Sequence, residues 1–309
     1  MDKSVFKELE SLLPDGAVLY DEPMSAHTSF RIGGPADVFV SAKEPEAVKA
    51  VLAFGRKADI PVTVIGNGSN LLVSDKGVEG IVLSIKDTGT ELPAPVYADD
   101  EKAVFEVSAG MSLSAFSKAC AKAGYTGTET LAGIPGSVGG GVAMNAGAYG
   151  GEIKDVLKSA RVLDKDLNEK VLTNAELELG YRRSRVLSEG LIVLSAEFEL
   201  KRGNAEESLA KISELNKKRK DKQPLELPSG GSTFKRPEGY FAGKLIEDAG
   251  LRGFRFGNAA VSEKHCGFVV NLGGATCAEV LALMDEVKKK VFENSGVGLE
   301  PELRMIGRK

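Results

Sequence analysis

Residues 131–151 read LAGIPGSVGGGVAMNAGAYGG, and eight of these 21 residues are glycine, at 133, 136, 139, 140, 141, 147, 150 and 151. Glycine admits positive φ and lets another group approach the backbone with no Cβ in the way. With Ser137 and Asn145 as its polar side chains, the run suits a backbone wrapped around a ligand. Successive exposed N–H groups in such a run can form a nest for an anion such as a pyrophosphate. A flexible linker is the plainer alternative. Leu131, Ile134, Pro135, Val138, Val142, Met144 and Tyr149 are too apolar for a solvated tether. The stretch is therefore read as a cofactor cradle.

Upstream of it, residues 37–42 (DVFVSA) alternate as a strand, and residues 44–57 place Val48, Val51 and Leu52 on one face of a helix, with Pro45 in its first turn. Residues 61–65 and 80–85 read as further strands. Between them GNGSN (66–70) forms a tight turn at the carboxyl end of a strand, where α/β sheets usually bind ligands. It is neither a GxGxxG opening a helix nor a P-loop, so taken alone an ordinary β-turn explains it equally well. Pro93-Ala94-Pro95 marks a subdomain boundary. A strand at 103–109 and a helix at 114–123, with Phe116, Ala119 and Cys120 inward, lead into the cradle.

Downstream, strands near 159–163 and 191–200 flank LGYRRSR (179–185). An arginine cluster is often a solvated face, but guanidinium forks are also the preferred grip on carboxylate or phosphate. A helix over 205–222 ends in Lys217-Lys218-Arg219-Lys220, where cations favour the helix dipole. Pro224, Pro228 and Gly230-Gly231 break the chain before GSTFKRP (231–237), a helix at 241–249, a strand at 267–271 and a helix at 276–293. Thr276 stands at an N-cap, with Glu279 completing a capping box. Residues 3–13 form a short amphipathic helix.

Composition narrows the function. The chain has 309 residues, 42% of them hydrophobic, a formal charge of −4 and a pI near 5.6, which gives no nucleic-acid footprint. No apolar run approaches the roughly 18 residues of a membrane span. The N-terminal MDKSVFKELESLL has no signal-peptide core. Cys120, Cys266 and Cys277 lack disulfide or metal spacing, so no metal site is expected and they read as buried residues of a reducing cytoplasm. Two histidines leave little for base chemistry built on His clusters. Glycine, 36 of 309 residues, exceeds the usual share of about 7%, and the excess lies in the clusters above.

Taken together, residues 27–37 (HTSFRIGGPAD), 64–73 (VIGNGSNLLV), 132–150, 181–185 (YRRSR), 231–237 (GSTFKRP), 258–271 and 299–307 resemble the UDP-N-acetylenolpyruvoylglucosamine reductase family. Each motif is weak alone; seven in one order span nearly the whole chain. The resemblance implies an α+β fold: a two-subdomain FAD-binding region of the wider PCMH/VAO-type flavin class (1–90 and 91–204), then a small α+β substrate-binding domain (205–309). It implies FAD bound noncovalently between the first two subdomains, with NADPH as reductant and UDP-N-acetylglucosamine enolpyruvate as substrate, reduced to UDP-N-acetylmuramate in peptidoglycan precursor synthesis. Gly66, Asn67, Gly68, Ser69, Asn70 and Leu71 would hold the cofactor with Gly133, Ile134, Pro135, Gly136, Ser137, Gly139, Gly140, Asn145, Gly147 and Ala148. Val193 would pack near it, and His27 is taken as structural rather than as a covalent flavin link.

The resemblance also assigns the chemistry to Arg182, Ser232 and Glu302. A guanidinium stabilises a developing enolate electrostatically, whereas a carboxyl there is useful only if protonated or otherwise neutralised. Ser232 would donate the proton, helped by a neighbour such as Lys244 or Arg236. Read without the family, Ser232 is a turn residue and Glu302 a surface partner of Arg304. Lys235 and Arg236 suit the substrate diphosphate, Tyr149 would border the sugar nucleotide, and Asn258, His265 and Asn271 fall on family positions. For His265, packing is at least as good an explanation as ligand contact. Residues 183–231, 49 in number, are too few for the extra tyrosine-bearing loop of one branch, which points to the loop-lacking second type. A monomer is expected, although the sequence does not give the oligomeric state. The alternatives are a flavin oxidase or dehydrogenase of the same class, which has no need of Ser232 opposite the flavin, and a sugar-nucleotide-binding module without flavin, which would be colourless.

Overall fold

The computed structural model describes residues 3–309. The N-terminal segment expected as one helix is a 3-10 turn, Lys3–Phe6, running into the short helix α1, Lys7–Ser11, which buries Leu9. Strands β1 (Val18–Pro23) and β2 (Pro35–Ala42) follow, then helix α2 (Pro45–Lys57) with Pro45 in its first turn. There the missing N–H of proline costs no hydrogen bond. Strands β3 (Val62–Ile65), β4 (Leu71–Val73) and β5 (Val78–Ile85) come next. A four-stranded sheet has the order β1-β2-β5-β3.

Contacts divide the chain into two compact units. The first comprises residues 1–18, 40–67 and 82–219, the second residues 19–39, 68–81 and 220–309. The chain passes between them within β2 and β5, so continuous sequence blocks do not describe the units.

In the first unit β6 (Tyr97–Ala98), β7 (Lys102–Ser108), helix α3 (Leu113–Lys122) and β8 (Tyr125–Thr126) precede the glycine-rich stretch. That stretch holds an element the sequence did not announce, helix α4 at Val138–Met144, followed by the small hairpin β9 (Gly147–Ala148) and β10 (Gly151–Glu152). Strands β11 (Leu157–Leu163) and β12 (Glu169–Thr173), helix α5 (Arg185–Glu189), strand β13 (Ile192–Arg202) and helix α6 (Ala205–Lys222) complete the run. The antiparallel sheet β12-β11-β13-β7-β6, with β8 also on β13, is the frame. Alternation on its long strands buries Phe105 and Phe198, which meet Tyr125 edge-on at 4.9 Å and Phe116 of α3 at 4.7 Å.

The second unit is built on helix α7 (Ala242–Asp248), the sheet β14 (Arg255–Phe256), β15 (Ala259–Val261) and β16 (Val269–Asn271), and helix α8 (Cys277–Ser295). Val280, Leu283, Met284, Val287 and Val291 of α8 recur every three or four residues and pack with Phe30, Ile32, Leu72 and Phe234, one face of a 3.6-residue period. The expected capping box is present: Thr276 accepts from the Glu279 amide, and Glu279 accepts from the Thr276 amide. The Asp75 carboxylate adds bonds from the amides of Cys277 (2.7 Å) and Ala278 (2.9 Å), favourable at the positive end of the helix dipole. The last strand, β17 (Arg304–Ile306), pairs in parallel with β4, Arg304 opposite Leu71.

A buried carboxylate fastens α6 in the first unit. Glu129 is 3% exposed and accepts from Thr126 Oγ1, the Gly127 amide and Ser208 Oγ, with Lys211 Nζ 3.8 Å away. Burial pushes its carboxyl up, but the bonds from Thr126, its own backbone, Ser208 and Gly127 outweigh that and hold it below the usual range. Glu129→Ala is expected to cost about 2–4 kcal/mol by stranding these donors, read as a lower urea midpoint. Because the folded-state value is depressed, the stabilisation is complete above the unfolded carboxyl value and is lost as pH falls through the folded one. The stability gap between the wild type and Glu129→Gln should therefore narrow below about pH 4.3.

Candidate active site

Gly66 and Asn67, the part of GNGSN that belongs to the first unit, meet the glycine-rich stretch there. A Cβ on Gly66 would overlap Ser137 Oγ, so glycine is what lets the GNGSN turn close onto the start of α4. Asn67 Nδ2 then donates to the Pro135 carbonyl at 3.4 Å. Ser137 caps α4, its hydroxyl accepting from the Gly140 amide. Val138 and Gly139 donate to the carbonyls of Met111 and Ala109, both at 2.8 Å. The expected nest is thus narrower than its glycine count implied. The amides of Gly139 and Gly140 are already engaged, while those of Gly136 and Ser137 have no acceptor among the described residues.

Gly133 permits a second close approach. A Cβ there would lie 2.6 Å from a guanidinium nitrogen of Arg219. Expected among the cations that favour the dipole at the end of this helix, Arg219 is buried, with its charge 5.7 Å from the Tyr149 ring centroid and its Nε without a hydrogen-bond partner. Burial pushes its pKa down. The sequence did carry a signal for it: Ser208, Ile212 and Arg219 are the buried residues of α6 and share one helix face. Tyr149 is exposed at a φ of 53°, next to the hairpin that holds Gly147 and Ala148. Ile134 is half-buried, and Val193 is buried in β13 opposite Val162.

Asn145 ends α4 in the left-handed conformation, and its side-chain groups are all bonded inside the unit, to Glu152, Gly180 and the Lys154 amide. Arg182 sits in the tight turn between Gly180 and Arg183, its guanidinium 5.3 Å from the Tyr181 ring centroid. Arg185 pairs with Glu189 at 2.5 Å on α5.

In the second unit the segments that carry Ser232 and Glu302 pair with each other. The Glu302 amide donates to the Thr233 carbonyl at 2.8 Å, Lys235 donates to the Glu300 carbonyl at 2.8 Å, and Phe234 bridges Pro301 antiparallel. Thr233, buried, anchors the segment: its hydroxyl accepts from the Val269 amide at 2.8 Å. Ser232 is exposed on this anchored backbone, and Glu302 is buried. The GNGSN turn reaches the same place. Asn70 Nδ2 donates to the Glu302 carbonyl at 3.2 Å, the Arg304 amide donates to the Asn70 carbonyl at 2.9 Å, and Leu71 opens the strand paired with Arg304. Gly68 and Ser69 accept bonds at their carbonyls from Ser29.

Other expected contacts are committed elsewhere. Lys235 pairs with Glu300 at 3.1 Å, Arg236 stacks 4.0 Å from the Phe241 ring, and Lys244 pairs with Asp248 on α7. Asn258 is exposed and its amide donates to Glu279. His265 Nδ1 accepts from the Gly267 amide at 3.0 Å, its ring stands edge-on to Phe268, and burial pushes its pKa down. Asn271 Nδ2 donates to the Phe30 carbonyl. His27 bonds Glu22 at 2.8 Å and stacks on Phe39 at 3.8 Å, a packing role.

Two family models match the chain: an FAD binding domain over residues 36–168, and the C-terminal domain of UDP-N-acetylenolpyruvoylglucosamine reductase over residues 223–306. The reductase of that name from Lachnoclostridium phytofermentans is 54% identical over 309 residues, covering 100% of this chain and 99% of the relative. The chain belongs to the UDP-N-acetylenolpyruvoylglucosamine reductase family. The Agathobacter rectalis reductase is 51% identical, with 99% of each chain covered. A crystal structure of the Thermus caldophilus reductase superposes with a TM-score of 0.76 at 35% identity, covering 94% of this chain and 98% of that one. The expected mixed α+β fold with an FAD-binding region ahead of a C-terminal domain is thereby established.

The first unit suits the cofactor that family membership brings. The closely apposed Gly66 and Ser137, the open amides of Gly136 and Ser137 and the buried, unpaired Nε of Arg219 together offer donors to an oxygen-rich, anionic group. FAD and NADPH are the redox pair of this flavin oxidoreductase.

Proposed function

We propose that Arg182, Ser232 and Glu302 carry the substrate chemistry of this reductase, whose reaction is the NADPH-dependent reduction of UDP-N-acetylglucosamine enolpyruvate to UDP-N-acetylmuramate in peptidoglycan precursor synthesis. The observation that supports the assignment is the antiparallel pairing of residues 233–235 with 300–302, which holds the segments that carry the exposed Ser232 and the buried Glu302 side by side. FAD, when bound, would supply the hydride chemistry between NADPH and the enolpyruvyl double bond. The Gly136 and Ser137 amides, with Gly66 and Asn67 beside them, would hold the anionic part of that cofactor. Arg182 grips the substrate carboxylate and stabilises the charge that builds on the adjacent carbon. Ser232 Oγ delivers the proton to that carbon, with Glu302 as the third residue of the set. Tyr149, Lys235 and Arg236 border the nucleotide, the last two after release from Glu300 and Phe241.

The same reading takes the protein as a cytoplasmic enzyme of the loop-lacking type that works as a monomer, with residues 205–309 as its substrate-binding part. Three buried free cysteines support a reducing compartment, and among the described residues no helix is long and apolar enough to cross a membrane. The test is optical. The purified protein should be yellow, bleach anaerobically with NADPH, and recover its colour on addition of the enolpyruvyl sugar nucleotide. An alcohol oxidase of the same flavin class would recover colour with oxygen but not with that substrate, and a colourless protein that takes up no FAD would remove the reading.

A further inference from the structure

Asn145 was expected among the cofactor contacts; its side-chain amide is bonded inside the first unit, to Glu152, the Lys154 amide and the Gly180 carbonyl of the turn that carries Arg182. It is fully buried, with φ 41° and ψ 57°, at the C-terminal end of α4. Nδ2 donates to Glu152 Oε2 (3.0 Å) and to the Gly180 carbonyl (3.2 Å), and Oδ1 accepts from the Lys154 amide (3.0 Å). Both donors of the amide are thus used.

Gly180 opens the turn that carries Arg182. The Gly180 amide donates to the Arg183 carbonyl (2.9 Å) and the Arg183 amide donates back (3.1 Å). Within that two-residue loop Arg182 has a φ of 53°, a conformation that side-chain-bearing residues hold only where their surroundings impose it. On the far side of the turn, Ser184 Oγ donates to the Ala143 carbonyl at 2.6 Å. The turn is therefore tied at both ends to the last residues of α4, the helix made by the glycine cradle.

We propose that Asn145 is a positioning residue: its amide registers the Arg182 turn on the cradle helix and so fixes where the guanidinium stands. This rests on the reading of Arg182 as a catalytic group. The residue type follows from the site. Asparagine enters the left-handed region more readily than other side-chain-bearing residues and brings two donors there. Aspartate would bring none and would set a second carboxylate against Glu152, which Lys154 already holds at 2.7 Å.

The test uses the FAD-loaded full chain and Asn145→Gly, which keeps the left-handed corner and removes only the side-chain bonds. Bleaching by NADPH should stay within about twofold of wild type. Recolouring by the enolpyruvyl sugar nucleotide should slow by about tenfold to a hundredfold, as for a reacting group displaced by about an ångström, in the rate at saturation rather than in KM. On an Arg182→Ala background the same change should add nothing. An equal slowing on both backgrounds, or an equal loss in both half-reactions, would overturn the proposal. Arg182→Ala alone tests the underlying reading, because a normal substrate half-reaction there would remove Arg182 from the chemistry whatever Asn145 does. If Asn145→Gly does not fold, Ser184→Ala releases the other tie; a wild-type substrate rate in that variant would equally sink the idea.

Discussion

Ser232→Ala is expected to leave the bleaching of bound flavin by NADPH intact and to slow its recolouring by the enolpyruvyl sugar nucleotide by on the order of 10²–10⁴, the range for loss of a general acid. The structure makes this result readable as chemistry. Ser232 is exposed, and its hydroxyl has no hydrogen-bond partner among the described residues. The bonds that hold the segment belong to Thr233: its amide to the Gly267 carbonyl at 2.9 Å, its carbonyl from the Glu302 amide, and its hydroxyl from the Val269 amide. Deleting one exposed oxygen should thus change stability by no more than about 0.5 kcal/mol, and the melting temperature serves as the control. The charge left on the serine oxygen needs a donor. Of the two cations considered, Lys244 is paired with Asp248 and Arg236 stands 4.0 Å from the Phe241 ring. Equal slowing of both half-reactions would show that Ser232 acts on the cofactor's surroundings instead.

What the sequence revealed follows from how local each determinant is. Helix α6 was expected at its observed bounds, and the Thr276–Glu279 capping box of α8 was read correctly, because caps and apolar periodicity act within a turn or two. Helix α4 escaped notice because three consecutive glycines, 139–141, are poor helix formers. Packing overrides that penalty. A Cβ on Gly139 would stand 2.9 Å from Ala109 Cβ, and one on Gly141 would stand 2.8 Å from Ile153 Cδ1, so the glycines are what allow the helix to lie this close to its neighbours. A sequence read one residue at a time cannot distinguish a glycine that loosens a chain from one that admits a neighbour. Arg219 was hidden for a related reason: in a run of four basic residues its burial depends on Gly133 and Tyr149, far away in sequence.

The site residues were legible only through resemblance. Nothing near Ser232 in the sequence names the Glu302 segment as its neighbour; the pairing of residues 233–235 with 300–302 does so. The burial of Glu302 is likewise not visible in its local sequence, Glu-Pro-Glu-Leu-Arg. The division of the chain was equally non-local. The second unit takes residues 19–39 and 68–81 as well as the C-terminal region, and such a grouping leaves no composition shift to mark it.

Gly66→Ala is expected to give a folded protein that has lost most of its FAD. The added Cβ would overlap Ser137 Oγ and would also lie 3.3 Å from Ser137 Cβ, so the GNGSN turn must move off the cradle or Ser137 must give up its cap. Overpacking of this kind costs about 1–3 kcal/mol, and charged against cofactor binding it weakens FAD affinity by on the order of tenfold to a hundredfold. The measurement is the flavin-to-protein absorbance ratio, followed by fluorimetric titration of the stripped protein with FAD. The double variant Gly66→Ala/Ser137→Gly supplies the decisive comparison. It removes the side chain that the methyl would strike and sacrifices a helix cap, a change that costs only a few tenths of a kcal/mol when glycine replaces serine. If steric overlap is the cause, the double variant binds FAD more tightly than the single one. If Ser137 Oγ is itself a principal ligand of the cofactor, the double variant binds more weakly still, and the role of Ser137 passes from spacer to direct donor. The two outcomes differ in sign.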